Sequence, residues 1–107
     1  MRLAQVDADE TNQCYGSEAT DALRKRTLDK RVTLRRPPSG PERDRYGRTL
    51  ADVLVDGTSV NEALVKEGAA GWYASFARED PDLANRLSAA QQQAREDDRG
   101  MWAACHR

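Results

Sequence analysis

The chain has 107 residues, of which 33% are charged and 6% aromatic, and its formal net charge is −1. A chain of this length forms one domain with a modest aliphatic core and is too short for two. No apolar run approaches the roughly 20 residues that span a bilayer, so no membrane segment is expected. The first residues also lack the long apolar stretch of a secretory signal, so we expect no signal peptide in this sequence.

The small net charge conceals an uneven distribution of charge along the chain. Residues 24–48 contain ten arginine and lysine residues against three acidic ones, whereas the parts before and after are each net acidic. A solvated helix face explains the basic run at 24–26. A wider set of arginines surrounds one predicted hairpin and indicates a surface for a polyanion: Arg35, Arg36, Arg43, Arg45 and Arg48.

The first part of the chain predicts strands and one helix. Residues 2–7 alternate loosely and predict a short strand that leads into an acidic loop. Residues 18–29 predict a helix, because apolar positions share one face and the charged residues complement the helix dipole. Residues 32–34 predict another strand, and the prolines within 37–41 predict a loop.

A hairpin and a short helix are predicted next. The strand that runs through 49–55 ends in Asp56-Gly57, and both residues tolerate the positive φ that a type I′ turn requires. Ser59, with Glu62 three residues later, forms a capping box for a helix over 60–67 that Gly68 ends.

The last long helix carries several independent signals. Asp80 is the predicted cap and Pro81 the first helical residue, and Met101 and Trp102 are expected to pack the tail against the body. This order of strands and helices predicts an α+β domain. The helix has an apolar stripe: Leu83, Leu87, Ala90 and Ala94.

Two cysteines, Cys14 and Cys105, lie near opposite ends of the chain, and with His106 they make a poor zinc site. A pair of buried free thiols is one interpretation. The other is a disulfide that closes a loop of ~90 residues and stabilises the domain by roughly 4 to 5 kcal/mol in the chain-entropy model. A disulfide would indicate an oxidising compartment.

Three parts of the sequence together suit phosphodiester hydrolysis. This reaction needs a base, positive charge on the transition state and often a hard cation held by carboxylates. Asp7 offers an oxygen ligand for calcium or magnesium, Glu10 can deprotonate water, and Arg2 and Arg48 can clamp a phosphate. An acidic loop by itself is more often only exposed to solvent. Arg45 and Arg48 by themselves are explained equally well as solvent-exposed residues at the entrance of a strand.

Several sequence blocks, in one order and at one spacing, resemble the staphylococcal-nuclease-like (thermonuclease) family. The resemblance implies an OB-fold barrel of about five strands carrying three helices. It also implies calcium-dependent cleavage of DNA and RNA that leaves 5′-hydroxyl and 3′-phosphate ends. The blocks are residues 2–3, 7–11, 15–19, 44–48, 50–51, 60–65 and 99–102.

The resemblance assigns roles to individual residues. Arg2 and Arg48 match the two catalytic arginines of the family, and Glu10 matches its general base. Asp7 matches a calcium-ligand aspartate, and Ala8 lies where a backbone carbonyl also binds the ion. The remaining matches are the nucleotide-pocket residues Arg45, Tyr46 and Tyr73, and the cysteine pair of exported members, Cys14 and Cys105.

Two features depart from the family pattern. Asp9 stands where the family usually has proline. The first two strands of the family, which carry a further calcium-ligand aspartate, have no counterpart here. We therefore expect a staphylococcal-nuclease-like domain over 1–107 that is partial at its N-terminus and binds calcium weakly. Either the chain is a fragment, or the open barrel edge is covered by pairing between two copies or by another element. The full-length form is expected to be secreted or extracytoplasmic.

Two functions from different classes follow. The first is a calcium-dependent endonuclease in which Arg2, Glu10 and Arg48 are catalytic. The alternative is a catalytically impaired domain that binds nucleic acid or a protein partner. The intact arginine and glutamate set favours the first function, and the missing strands favour the second.

Overall fold

The described residues form both helices and short strands that pair mostly antiparallel, in agreement with the predicted α+β class. The computed structural model describes residues 2–7, 13–36, 50–73 and 80–105, and for Arg2, Asp7 and Leu50 only the backbone. The elements are β1 (Arg2–Leu3), β2 (Val6–Asp7), α1 (Gly16–Thr27), β3 (Thr33–Arg35), β4 (Leu50–Val55), β5 (Thr58–Ser59), α2 (Val60–Lys66), β6 (Gly71–Trp72), α3 (Pro81–Glu96) and α4 (Met101–Ala104).

Strand β4 is the centre of the larger described sheet. β1 pairs with it in parallel and β3 pairs with it antiparallel on the other side. β5 also pairs with β4, across a turn in which Asp56 and Gly57 have φ values of 52° and 79°. The predicted type I′ geometry needs positive φ at both residues, so the hairpin prediction is confirmed.

The prediction of one continuous strand over 2–7 is wrong. β1 and β2 are two strands of two residues each, separated by a turn in which Gln5 has a φ of 59°. The break has a tertiary cause, because the two halves join different sheets. β1 pairs with β4, whereas β2 pairs antiparallel with β6.

The helices differ from the predictions mainly at the front of the chain. α1 begins at Gly16 rather than residue 18 and ends at Thr27, since Leu28 is extended with ψ at 130°. The two later helices have the predicted side-chain caps from Ser59 and Asp80. The described residues contain four helices instead of three, the fourth being the single turn α4.

The core is small and aliphatic and lies where α2 and α3 pack against each other and α2 packs on β4. The predicted stripe of α3 is buried along its whole length, and Met101 is buried as well. None of the described helices is long and apolar enough to cross a bilayer. The largest apolar side chains that solvent does not reach are Val53, Val65, Leu83 and Leu87.

Close packing of two glycines joins the end of α2 to the start of α4. Gly68 has a φ of +79°, and a Cβ there would collide with the backbone of Arg99. The Gly68 carbonyl accepts a hydrogen bond from the Met101 amide at 3.0 Å. The tail therefore depends on a residue without a side chain at position 68.

Replacing Gly68 by alanine should lower the free energy of unfolding by at least about 2 kcal/mol, from backbone strain and the collision together. Gly57 is a matched control, because its φ is also +79° but a Cβ there would meet nothing within 4 Å. Gly57→Ala should cost only about 1 kcal/mol, the left-handed backbone penalty. Equal urea midpoints for the two variants would contradict the packing explanation.

Candidate active site

The front end of the chain, residues 2–7, contributes one strand to each of the two described sheets. In the parallel pairing of β1 with β4, Arg2 is the register partner of Leu50. In the pairing of β2 with β6, Asp7 is the register partner of Gly71. Arg2 and Asp7, of which only the backbone is described, therefore lie on consecutive short strands, one in each sheet.

The pairing of β1 also brings Arg2 beside the start of β4. Arg48 precedes Leu50, the register partner of Arg2, by two residues in the sequence. Five of the predicted site residues lie outside the described residues: Ala8, Glu10, Arg45, Tyr46 and Arg48.

Tyr73 lies close to the same front turn. Its amide donates a hydrogen bond to the Gln5 carbonyl at 3.2 Å, and its side chain is half-buried. Its predicted place in a nucleotide pocket stays a prediction. In the described part of the chain, no group of three or more His, Cys, Asp or Glu residues is placed to hold a metal ion.

Arg35, one of the arginines predicted to meet a polyanion, is instead committed to two carboxylates of its own chain. It pairs with Asp80 at 2.9 Å and with Asp52 at 3.3 Å. Burial alone would lower the pKa of Arg35, but the hydrogen bonds and charges of Asp80 and Asp52 outweigh it and raise the pKa. Arg35 is therefore a structural cation, whereas Arg36 next to it is exposed.

A buried asparagine that sequence reasoning did not single out holds β1 against β4. The Asn61 side chain is fully buried, and its Oδ1 accepts from the Val53 amide at 3.0 Å. Its Nδ2 donates to the carbonyls of Ala4 at 3.0 Å and Ala51 at 3.2 Å. The side-chain amide of Asn61 thus holds the backbone of β4 and the residue that follows β1, the strand that carries Arg2. The only signal in the sequence was that Asn61, the second residue of a short helix, is polar on a helix face that is otherwise apolar.

Replacing Asn61 by alanine is expected to lower the free energy of unfolding by about 3 kcal/mol, because the buried Val53 amide loses its acceptor and two carbonyls lose a donor. Asn61→Asp should be at least as damaging, since a carboxylate cannot donate to those carbonyls. Asn85, exposed on α3, is the matched control, and Asn85→Ala should change stability by less than about 0.5 kcal/mol. Chemical denaturation gives both values, and equal stability of the two alanine variants would refute the bridging role.

Cys14 and Cys105 form a disulfide, which settles the alternative that the sequence left open. Their Cα atoms are 6.0 Å apart, and the bridge joins residues 91 positions apart in the chain. It connects the segment before α1 to the residue after α4, so the two ends of the described fold are tied together. The described residues contain no free cysteine.

The arrangement of these elements agrees with sequence comparison. The family model described as "Staphylococcal nuclease homologue" matches residues 1–104. The chain belongs to the staphylococcal nuclease homologue family. The structural features described above, from the front strands to the turn α4, fall within the matched range.

Several proteins that are named as nucleases are similar to the chain. An "Uncharacterized endonuclease" of Escherichia coli is 38% identical over 104 residues, which cover 96% of this chain and 62% of the relative. The "Thermonuclease" of Staphylococcus hyicus is 36% identical over 109 residues, with the same coverage of 96% and 62%. "Probable staphylococcal-like nuclease CAN1" of Oryza sativa subsp. japonica is 35% identical, over 97% of this chain and 29% of the relative. The chain thus spans less than two thirds of the length of these relatives.

Proposed function

We propose that the protein is an endonuclease that hydrolyses phosphodiester bonds of DNA and RNA with the help of calcium and leaves 5′-hydroxyl and 3′-phosphate ends. The observation that carries this proposal is the family match over residues 1–104, a range that contains Arg2, Glu10 and Arg48, the residues to which the resemblance gives catalytic roles. The register that sets Arg2 beside the start of β4 supports it.

Each of these side chains has a distinct task in the proposed reaction. Glu10 takes a proton from the attacking water, which makes the water a competent nucleophile. Arg2 and Arg48 donate to the non-bridging phosphate oxygens, where negative charge grows in the transition state. Both guanidiniums stay charged at any working pH, and their planar forks suit a phosphate.

The residues available for a metal suit calcium. Asp7 offers a carboxylate and Ala8 a backbone carbonyl, and such hard oxygen donors are the ligands that calcium prefers. Asp7 is the last residue of β2 and is paired there with Gly71 of β6, which supports a fixed position for its backbone. Bound calcium would supply positive charge next to the scissile phosphate. Two protein donors with water imply weak binding.

The proposal is tested by incubating the purified chain with a single-stranded DNA oligonucleotide labelled at its 5′ end, in calcium, in magnesium and in a chelator. We expect cleavage in calcium only. A 3′-phosphatase should remove the terminal phosphate from the 3′ end of one product, and a kinase should label the 5′-hydroxyl of the other. Cleavage that persists in the chelator would refute the role of calcium. Salt-sensitive binding of the oligonucleotide without cleavage would refute the enzyme and support the impaired nucleic-acid-binding domain.

Further proposals concern the barrel, the assembly and the compartment. The sheet around β4 is proposed to be part of an OB-fold barrel whose open edge pairs two copies. Leu34, which is 44% exposed on β3 at the edge of the described sheet, supports such a contact. Sedimentation equilibrium tests this pairing, and a monomer at high concentration would exclude it.

The disulfide supports a secreted or extracytoplasmic location of the full-length form, because such bridges persist in oxidising compartments.

A further inference from the structure

The arginines and lysines in the described part of the chain differ in whether the fold neutralises them. Ion pairs with acidic side chains neutralise Arg26, Arg35, Arg86 and Arg99. Arg95 instead lies over the ring of Trp102, 5.3 Å from its centroid. Among the described residues, the exposed cations whose side chains have no partner are Arg24, Lys25, Lys30, Arg31 and Lys66. All of these except Lys66 lie within residues 24–31.

The end of α1 keeps these neighbouring cations together. The Leu28 amide donates to the Arg24 carbonyl at 2.8 Å, which closes the last helical turn. The Lys30 amide then donates to the Thr27 carbonyl at 3.1 Å. The chain therefore turns directly after the helix, so that Lys30 and Arg31 stay beside its C-terminal end.

The helix dipole accounts for only part of this arrangement. Arg24 and Lys25 lie in the last turn of α1, where the carbonyl end of the helix stabilises a cation. Lys30 and Arg31 come after the extended residue Leu28, and the effect of the dipole fades beyond the last turn. The contacts of the described residues give Lys30 and Arg31 no role in holding the fold. Like charges so close together repel one another, and a bound polyanion removes that repulsion.

The partner that suits such a surface is a flexible polyanion. When lysine and arginine bind nucleic-acid phosphates they release counterions, and this contact needs no particular base sequence. Every residue from 28 to 34 is exposed, so a strand can lie along this part of the chain. Leu28 is 61% exposed and Val32 is 39% exposed, and unpaired bases can pack on apolar side chains of this kind.

This surface lies at the other end of β4 from the strand that carries Arg2. Lys30 lines an open cleft of about 260 Å³ together with Val55 and Thr58, where β4 ends. Arg2 is the register partner of Leu50, the first residue of β4. A strand of six residues is about 17 Å long. Phosphate contacts at Lys30 are therefore additional to any contact made on the strand of Arg2.

We propose that Arg24, Lys25, Lys30 and Arg31 form a cationic surface that binds the phosphates of a single nucleic-acid strand without reading its sequence. The proposal rests on the proposed function, because it takes nucleic acid as the substrate. It adds that long strands are better substrates than short ones, since only a long strand reaches both this surface and the strand of Arg2.

The first test measures binding of a fluorescently labelled oligothymidine of about 16 nucleotides, the upper site size of one barrel domain, by anisotropy. The measurement is made in a chelator over a range of salt concentrations. Lys30→Gln/Arg31→Gln should weaken binding about tenfold at low salt. It should also lower the slope of log affinity against log salt by about 1.4, because each phosphate contact on a single strand contributes about 0.7. Lys30→Arg/Arg31→Lys keeps both charges and should bind like the unaltered chain.

Lys66 and Arg99 provide the matched control. Both are exposed, and they are neighbours, since Arg99 Nη1 donates to the Lys66 carbonyl at 3.5 Å. Lys66→Gln/Arg99→Gln removes the same number of positive charges at the end of α2 and should leave the slope within about 0.3 of its original value. Equal slopes for the two glutamine variants would overturn the proposal, because binding would then follow net charge alone.

Strand length separates this proposal from the proposed function. In calcium, Lys30→Gln/Arg31→Gln should lower kcat/KM for the long oligothymidine about tenfold and leave kcat/KM for a trinucleotide within about twofold. An equal loss on both substrates would overturn the cationic surface. If the unaltered chain cleaves nothing, the endonuclease proposal fails, and the binding measurements in the chelator still decide on the surface.

An anionic membrane is the competing partner for cations beside exposed leucine and valine. The sequence favours nucleic acid, because residues 24–34 contain no tryptophan or tyrosine, the usual membrane anchors. Co-sedimentation with vesicles of phosphatidylserine and phosphatidylcholine tests the alternative, and we expect no binding. Vesicle binding that is lost in Lys30→Gln/Arg31→Gln, with oligothymidine binding unchanged, would overturn the proposal.

Discussion

Replacing Glu10 by glutamine is expected to slow calcium-dependent cleavage of single-stranded DNA about a thousandfold, with little change in KM. The amide cannot accept the proton of the attacking water, and general-base contributions of this kind are about 10²- to 10⁴-fold. The size and shape of the side chain are almost unchanged, so substrate binding should persist. Initial rates at saturating oligonucleotide give kcat directly.

Glu18 provides the matched control, because it is an exposed glutamate in the first turn of α1. Glu18→Gln changes the net charge by the same amount and should leave kcat within about twofold. A Glu10→Gln variant as fast as Glu18→Gln would remove Glu10 from the reaction. The base would then have to be sought elsewhere in the acidic loop.

Reducing the disulfide between Cys14 and Cys105 should lower the free energy of unfolding by about 4 to 5 kcal/mol in the chain-entropy model, because the bridge closes a very long loop. For a domain of this size, that corresponds to a fall in the melting temperature of roughly 15 to 30 °C. Cys14 is exposed, so a small-molecule reductant can reach the bridge. Thermal unfolding with and without the reductant measures the effect.

The double variant Cys14→Ser/Cys105→Ser separates loss of the bridge from other effects of the reductant. It should melt where the reduced protein melts and should not respond to the reductant. A melting temperature equal to that of the oxidised protein would show that residual structure in the unfolded chain already brings the two ends together.

Local signals predicted the later elements well. Asp80, Pro81 and the stripe of α3 are interactions between residues a few positions apart, and the structure has the predicted cap and a buried stripe. The capping box of Ser59 and Glu62 and the positive φ values at Asp56-Gly57 are local in the same sense. Such features depend little on the rest of the fold, and a single sequence is enough to find them.

Features that depend on distant partners were missed. The break at Gln5 arises because β1 and β2 join different sheets, which the alternation within 2–7 does not reveal. The same holds for Asn61, whose partners are backbone groups of two strands, and for Arg35, whose carboxylates are 17 and 45 residues away. Arg35 was predicted to face a polyanion, because charge counted along the sequence does not show which cations the fold neutralises.

The roles of Glu10 and Arg48 came from the family resemblance, and both residues lie outside the described part of the chain. The central claim is that Glu10, through the attacking water, and Arg48, through the phosphate, act in one hydrolytic site. The most direct test compares kcat of Glu10→Gln, Arg48→Ala and the double variant on one oligonucleotide. Groups that act as a unit are strongly non-additive, so the double variant should be only slightly slower than the slower single variant. A double variant whose loss equals the product of the two single losses would contradict a single catalytic site.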